Sequence, residues 1–280
     1  MINKHLVIFS LIALFWVPAV QAADLTELRS QGFVRVGFGN EIPYGYLDEQ
    51  GRLTGEAPEV ARAVFKRLGV PEIQGVMTEF GALIPSLKAS RVDVIAAGMY
   101  ITPRRCAQVA FSEPSYQIGE ALAVPLGNPK KIHSYDDLVR AKDLRLGVMA
   151  GAVELGYARK LGIGLGRLSI SSDIPTGISD LTSGRIDAYA GTALTIEQAV
   201  RQNPEIERVE PFKPLVIDGK QVSGYGAFGF KRADKELRDA FDKELKNFLG
   251  SKEHLDLVRP FGFTEKELPN RSRAQLCAGR

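Results

Sequence analysis

The 280-residue sequence predicts an α/β protein made of two similar lobes, each a mostly parallel sheet flanked by helices. Three observations support this prediction. Strands and helices alternate from residue 33 to residue 97, a pattern typical of parallel sheets with right-handed crossovers. The motifs of this segment recur in the same order later in the chain. Two apolar strands that contain glycine, 119–124 and 224–230, enclose the repeat, which predicts a second lobe inserted between two crossing strands.

The first residues predict a cleaved export signal. One Lys and no acid precede a short apolar run over Leu6–Val17, and Val20-Gln-Ala22 is a small-x-small cleavage site. We expect cleavage after Ala22, with Ala23 as the neighbouring alternative. Because the apolar run is too short to span a bilayer comfortably, we expect a mature chain that is exported to the periplasm and soluble.

Composition and charge exclude several classes of protein. Removal of residues 1–22 leaves 258, which suits one large or two medium domains. The 36 basic and 33 acidic residues are interspersed, so the chain lacks the basic stripe that nucleic-acid binding needs. Three scattered histidines offer no metal cluster. The two cysteines, Cys106 and Cys277, predict one disulfide in an oxidising compartment.

The predicted first lobe starts with an apolar strand over Phe33–Phe38, suited to the centre of a parallel sheet. A loop over 39–46 follows, with one acid and two aromatic residues, and then a helix from about Pro58 to Leu68. A second strand over Ile73–Thr78 and a short helix over Leu83–Leu87 lead to the third strand.

The third strand, Val94–Ala97, ends in a small-residue turn at Gly98. Thr102 is suited to cap the next helix and Pro103 to occupy its first position. Arg105 is therefore predicted to lie in the first helical turn, just beyond the carboxyl end of a strand, where ligands of open α/β sheets collect. A guanidinium there can bind a carboxylate or phosphate in bidentate fashion. A surface salt bridge is the alternative.

The predicted second lobe repeats this outline. The strand Leu144–Val148 has the pattern of Val34–Phe38, and Ser183–Ala190 echoes Ala89–Ala96. A long amphipathic helix over Lys235–Leu249 follows the second crossing strand. We expect a first lobe formed by residues 23–121 and 225–280, and a second lobe formed by residues 122–224.

Over nearly all of its mature length the chain resembles the solute-binding proteins of polar amino-acid ABC importers. The motifs that carry the resemblance are Glu41-x-Pro43, Gly98-x-x-x-Thr102-x-x-Arg105 and Gly147-Val-x-x-Gly151. Longer strings, among them Glu79–Ile84 and Ala96–Pro103, resemble the members that bind ectoine or hydroxyectoine. The resemblance implies the type II periplasmic-binding-protein fold, with the crossing strands as its hinge. It also implies a monomer that closes on a small solute and presents it to a membrane permease.

The resemblance assigns the ligand carboxylate to Arg105. Opposite this arginine, Gly151, Ala152 and Val153 begin a second-lobe helix, whose free backbone N–H groups could hold the same carboxylate. An ordinary strand-to-helix turn is the alternative. Amino-acid binders of the family usually carry an Asp five residues after the Asp of the Gly-Arg-x-Asp motif, where it pairs with the α-ammonium. Here that position is Thr192, and because a buried ammonium without a counter-ion is costly, an ordinary α-amino acid is disfavoured.

Three aromatic residues indicate a different cation site. Tyr44, Phe80 and Tyr100 each follow a strand end of the first lobe, and the resemblance implies that they face one another. Such faces suit a delocalised cation, each contact contributing ~0.5–2 kcal/mol once desolvated. Core packing is the alternative for each ring. Glu41, beside them, can accept N–H bonds and balance the charge.

These residues predict a zwitterionic ligand such as ectoine or hydroxyectoine, which join a carboxylate to a ring with a delocalised amidinium. A binding protein for a basic or quaternary amino-acid-like solute is the main alternative. A dehydratase of cyclic acids on the same fold is a further alternative, as is a protein that reports to a chemoreceptor. An enzyme needs a poised acid/base group. Glu41, the one candidate in the predicted cleft, already has a role as counter-ion, so we expect no enzyme and no cofactor.

Overall fold

The computed structural model describes residues 24–279. The predicted signal peptide and both expected cleavage points lie outside this range. None of the helices that the structure describes within it has the length and apolar character needed to cross a membrane.

Helices and short strands alternate along the described chain. The α-helices are α1 (Leu25–Gln31), α2 (Glu56–Arg67), α3 (Leu83–Lys88), α4 (Pro103–Cys106), α5 (Tyr135–Arg140), α6 (Val153–Lys160), α7 (Ile174–Thr182), α8 (Ala193–Gln202), α9 (Lys235–Phe248), α10 (Lys252–Val258) and α11 (Arg273–Cys277). The strands are β1 (Phe33–Phe38), β2 (Tyr46–Leu47), β3 (Leu53–Thr54), β4 (Glu72–Met77), β5 (Val94–Ile95), β6 (Ala110–Phe111), β7 (Tyr116–Ile118), β8 (Glu120–Pro125), β9 (Leu146–Met149), β10 (Leu168–Ser171), β11 (Ala188–Thr192), β12 (Ile206–Arg208), β13 (Val216–Ile217), β14 (Lys220–Gln221), β15 (Gly224–Gly226) and β16 (Gly229–Phe230).

Two five-stranded sheets form the centres of the two lobes. The first has the order β4-β1-β5-β16-β6 and the second the order β10-β9-β11-β8-β12. In each sheet a single strand, β16 or β8, runs against its neighbours, and the other strands are parallel to one another. The predicted pair of mostly parallel sheets flanked by helices is therefore confirmed.

One hydrogen bond recurs in both sheets and supports the predicted similarity of the lobes. The Asp93 carboxylate accepts from the backbone N–H of Arg35 at 2.9 Å, and the Asp187 carboxylate accepts from the backbone N–H of Arg145 at 2.8 Å. Asp93 directly precedes β5 and Asp187 directly precedes β11, which are the central strands of the two sheets. Arg35 and Arg145 occupy the same position in the two similar segments Val34–Phe38 and Leu144–Val148. The two echoed sequence motifs therefore make the same contact with one another in each lobe.

The crossing strands differ in part from the prediction. The predicted strand over 119–124 is β8, which lies inside the second sheet, and the predicted strand over 224–230 divides into β15 and β16. The antiparallel pair between the sheets is β7 with β15, with Gly224 opposite Ile118. The chain enters the second sheet at Gly119, where an added Cβ would meet no neighbour within 4 Å. The exact division into lobes remains a prediction.

Local rules explain the short helix that carries Arg105. The Thr102 hydroxyl accepts from the backbone N–H of Arg105, and Pro103 occupies the first helical position, as predicted. Cys106, the last residue of this one-turn helix, forms a disulfide with Cys277 of α11. The predicted disulfide is thus present, and it attaches the arginine-bearing helix to the C-terminal helix of the described chain.

Candidate functional site

A cavity lies between the two sheets, with an empty volume of about 380 Å³. Eight of the nine predicted ligand-binding residues line it: Glu41, Tyr44, Phe80, Tyr100, Arg105, Ala152, Val153 and Thr192. The ninth, Gly151, lines a groove that adjoins it. The sequence reasoning had not singled out Met149, Glu154, Ile174, Ala190 and Gly191, which also line the cavity. Residues from both lobes therefore meet at one place.

Arg105 connects the two walls of the cavity. Its Nη1 donates to the Tyr100 carbonyl at 2.9 Å, and its Nη2 donates to the Gly151 carbonyl at 2.8 Å. The guanidinium carbon lies 5.5 Å from the centre of the Phe80 ring. Burial lowers the pKa of Arg105, but a guanidinium stays charged in proteins. The side chain is thus fixed by backbone acceptors and a ring, and the rest of its planar donor face remains for an anion.

Glu41 lies at the other side of the cavity, only 7% exposed. The Thr195 hydroxyl donates to its Oε1 at 2.7 Å. Burial raises the pKa of Glu41 to about 7, the Thr195 bond opposes this rise, and the charge of Glu154 adds to it. A carboxyl in this state can accept an N–H from a cationic ligand, and such a cation would stabilise its ionised form.

A chain of hydroxyl groups extends from Glu41. Thr195 Oγ1 lies 3.0 Å from Thr192 Oγ1, which lies 2.7 Å from the Tyr44 hydroxyl. Each hydroxyl has a single hydrogen. Because Thr195 gives its hydrogen to Glu41, Thr192 must donate to Thr195, and Tyr44 must donate to Thr192. Thr192 also caps α8 by accepting from the backbone N–H of Thr195.

The contacts among the aromatic residues differ from the expected cage of three rings that face one another. Tyr44 and Tyr100 each contact the ring of Tyr116, at centroid distances of 5.3 and 6.5 Å. Phe80 lies against Arg105 instead. The three predicted rings do line one cavity, but Tyr116 supplies the ring contacts that support two of them.

Two glycines, one from each lobe, approach each other beside the cavity. Gly151 has a φ of +79°, and a Cβ placed on it would lie 2.5 Å from the Gly81 Cα. The main chains of the two lobes therefore touch without side chains between them. Ala152 caps α6 without a side-chain bond, and its own N–H donates to the Met149 carbonyl at 3.2 Å, so the prediction of a free N–H there is wrong. The N–H of Val153, at the start of α6, borders the cavity beside Arg105. Gly151 itself contributes its carbonyl, as acceptor for Arg105, rather than its N–H.

Glu154 is the most important residue that the sequence reasoning missed. It lies in the first turn of α6, is 4% exposed and lines the cavity. The Glu120 carboxyl, on β8, is within hydrogen-bonding reach of it and is 5% exposed. An acid in the first turn of a helix is usually explained by its favourable interaction with the helix dipole at the protein surface. The sequence feature that could have indicated a buried acid is Glu120, because it is the one charged residue of the apolar strand β8.

Glu154 affects the inference drawn from Thr192, that the cavity lacks an acid to pair with an α-ammonium. The Thr192 hydroxyl belongs to the hydrogen-bonded chain described above, so this position supplies no carboxylate. However, Glu154 brings a carboxylate to the same cavity from a neighbouring element. A cationic ligand would therefore find a second acid there besides Glu41.

Comparison with known proteins gives matches to a family and to individual relatives. Residues 34–262 match the family described as bacterial extracellular solute-binding proteins, family 3. A probable amino-acid ABC transporter periplasmic-binding protein, y4tE, of Sinorhizobium fredii (strain NBRC 101917 / NGR234) is 37% identical over 262 residues, covering 92% of this chain and 87% of that protein. The lysine/arginine/ornithine-binding periplasmic protein of Escherichia coli (strain K12) is 27% identical over 238 residues, covering 84% and 90%.

Among solved structures, the crystal structure of EhuB in complex with hydroxyectoine is similar over most of both chains. The TM-score is 0.84 at 36% sequence identity, and the match covers 91% of this chain and 98% of that one.

Proposed function

This chain belongs to the bacterial extracellular solute-binding proteins of family 3, and from that premise we propose that it binds ectoine or hydroxyectoine between its lobes. Its fold is the two-lobed type II periplasmic-binding-protein fold that the sequence predicted. It is a solute-binding protein of an amino-acid-type ABC importer. Binding proteins of this family take up small amino-acid-like solutes and deliver them to ABC permeases.

The observation that carries the proposal is the placement of opposite charges in one cavity. Arg105 and Glu41 both line it, together with Tyr44, Phe80 and Tyr100. A bidentate guanidinium suits a carboxylate, whereas an acid among aromatic faces suits a delocalised cation with N–H groups. Ectoine joins both features in one small ring. The similarity to EhuB, which was crystallised with hydroxyectoine, supports this choice of solute.

In the proposed cycle, the solute enters the open cleft and the lobes close on it by rotation about the crossing strands. The carboxylate binds Arg105 and the backbone N–H of Val153 at the start of α6. The amidinium lies against the aromatic rings and donates to Glu41. The closed protein then presents the solute to the permease in the periplasm, after removal of the signal peptide.

Isothermal titration calorimetry of the mature protein tests the proposal. Ectoine, hydroxyectoine, arginine, lysine and glutamine should be titrated separately into protein that was unfolded, dialysed and refolded to remove any ligand carried over from expression. We expect the two ectoines to bind most tightly. Absence of ectoine binding together with tight binding of arginine would refute the ligand and leave the solute-binding class intact.

A basic amino acid is the second candidate, because a specific observation favours it. Glu154 adds a second carboxylate to the cavity, which would suit a ligand with more positive charge than ectoine. The lysine/arginine/ornithine-binding relative is consistent with such a ligand. The titration series above separates the two candidates directly.

The family members found by comparison are binding proteins rather than enzymes. We propose that this chain likewise leaves its solute unchanged. Prolonged incubation with ectoine, followed by recovery of the solute and mass spectrometry, checks this point. A dehydrated product would overturn it.

A further inference from the structure

Two buried carboxyl groups lie on elements of the second lobe, and one of them, Glu154, lines the cavity. Glu120 belongs to β8 of the second sheet, opposite Thr192 of β11, and Glu154 belongs to α6. Neither Glu120 oxygen has a hydrogen-bond donor among residues 24–279, and the Tyr100 hydroxyl beside the pair also lacks a partner within that range. The group that faces Glu120 is the Glu154 carboxyl. Two carboxyls so placed can bond to each other only if one of them holds a proton.

The surroundings decide which of the two holds it. Burial raises the pKa of Glu120 well above its usual value, and the charges of Glu154 and Glu41 raise it further. Burial also raises the pKa of Glu154, but a backbone N–H bond, the bond from Glu120 and the charge of Arg105 all oppose the rise. Glu154 is therefore the more acidic member of the pair, and Glu120 is the one that holds the proton when the two carboxyls share it.

Several other titratable or charged groups surround this pair, and none of them reverses the assignment. They are Arg105, Glu41, Tyr44, Tyr100, Tyr135, Tyr157 and Tyr189. The tyrosines stay neutral because burial raises the pKa of each one. Glu41 lies on the first-lobe wall of the cavity, so Glu41 and Glu154 approach a bound solute from different lobes.

From this geometry we infer that Glu154 is a second acceptor for the cation of the solute and that Glu120 is the positioning residue that keeps Glu154 oriented. The inference rests on the proposed function and narrows its solute class. A cation held between Glu41 and Glu154 must present at least two N–H groups in different directions. Amidinium and guanidinium groups meet this condition. Quaternary ammonium solutes do not, because they have no N–H and would leave both buried carboxylates without a donor.

Four variants test the roles of the two acids, with affinity for ectoine measured by calorimetry. Glu154→Gln should weaken binding about 10- to 100-fold, since it replaces a charged acceptor. Glu120→Gln should bind almost as well as the parent, because its amide can donate to Glu154 as the protonated carboxyl does. Glu120→Leu removes the donor and should weaken binding. Glu56→Gln is the matched control, another buried carboxyl that lines a different cavity, and should leave affinity unchanged.

The pattern of these results distinguishes a positioning role from simple charge attraction. Equal losses for Glu120→Gln and Glu154→Gln would overturn the assignment of the proton. Unchanged affinity in Glu154→Gln would overturn its role as acceptor. Thermal melts of each variant, compared with that of Glu56→Gln, identify any loss that comes from misfolding, and the conservative Gln substitutions limit this risk.

A second titration tests the solute class with ectoine, arginine, glycine betaine and proline betaine as probes. We expect no measurable binding of the two betaines. If a betaine binds as tightly as ectoine, the inference fails and the solute-binding class stands. If arginine binds and ectoine does not, the proposed ligand fails, and the same four variants test the inference with arginine. Binding of none of the N–H-bearing probes would overturn both.

Discussion

The hydroxyl groups of Tyr44 and Thr192 lie 2.7 Å apart, although the residues are 148 positions apart in the chain. Tyr44 belongs to the loop after β1, and Thr192 ends β11 and caps α8. Their bond thus joins the first lobe to the helix that starts on the opposite wall. Since Thr192 also connects to Thr195 and so to Glu41, the contact between the lobes includes the proposed acceptor for the solute.

We predict that Thr192→Val lowers the affinity for the solute about fivefold to tenfold, because the Tyr44 hydroxyl is left buried without its partner. Loss of the cap of α8 should also cost about 1 kcal/mol of stability. Calorimetry and chemical denaturation measure the two effects. Ser134→Ala is a suitable control, because it removes the cap of α5 and should lower stability without changing affinity. Tyr44→Phe in combination with Thr192→Val should add little further loss if the two hydroxyls act as a pair.

We predict that Arg105→Lys weakens binding by about 100-fold or more, because an ammonium cannot replace the planar donors of a guanidinium. The lysine would also fail to contact the Tyr100 and Gly151 carbonyls together. Arg104→Lys on the same one-turn helix is the matched control. Arg104 is exposed, and its substitution should leave affinity unchanged. Equal behaviour of the two variants in calorimetry would contradict the role of Arg105.

We predict that Glu41→Gln stabilises the protein without ligand at high pH. Because burial raises the pKa of Glu41 from 4.5 to about 7, its ionisation disfavours the folded state. This cost is absent below pH 4.5, grows as the pH rises to about 7 and is then complete, at roughly 3 kcal/mol. Urea denaturation at pH 5 and pH 8 measures it. Glu41→Gln should be the more stable protein at pH 8, and its advantage should shrink towards pH 5. A constant difference across this range would disprove the assignment.

Local rules at the sequence level predicted the turn that carries Arg105 in the candidate site. Thr102, Pro103 and Arg105 follow capping preferences that act over a few residues, so their geometry could be predicted without knowledge of the rest of the fold. The disulfide between Cys106 and Cys277 could be predicted because the chain has two cysteines and an expected oxidising compartment. Such features depend on neighbours in the sequence or on simple counts.

The second-lobe half of the site depends on contacts between distant residues, which no local pattern contains. Glu154 is a buried acid whose neighbour, Glu120, lies on a strand 34 positions earlier in the chain. Likewise, the apolar run after Gly119 is equally compatible with a crossing strand and with a strand of the second sheet. Its pairing with β11 and β12 decides between them.

The close approach of Gly81 and Gly151 would set a limit to closure of the cleft in the proposed cycle. The two lobes meet there through main-chain atoms, and a methyl group on Gly151 would already collide with Gly81. With such a limit, the stopping point of the proposed closure would be the same for every solute that fits inside. A permease would encounter the same outer shape for every solute that allows this contact, so selection among solutes takes place before docking.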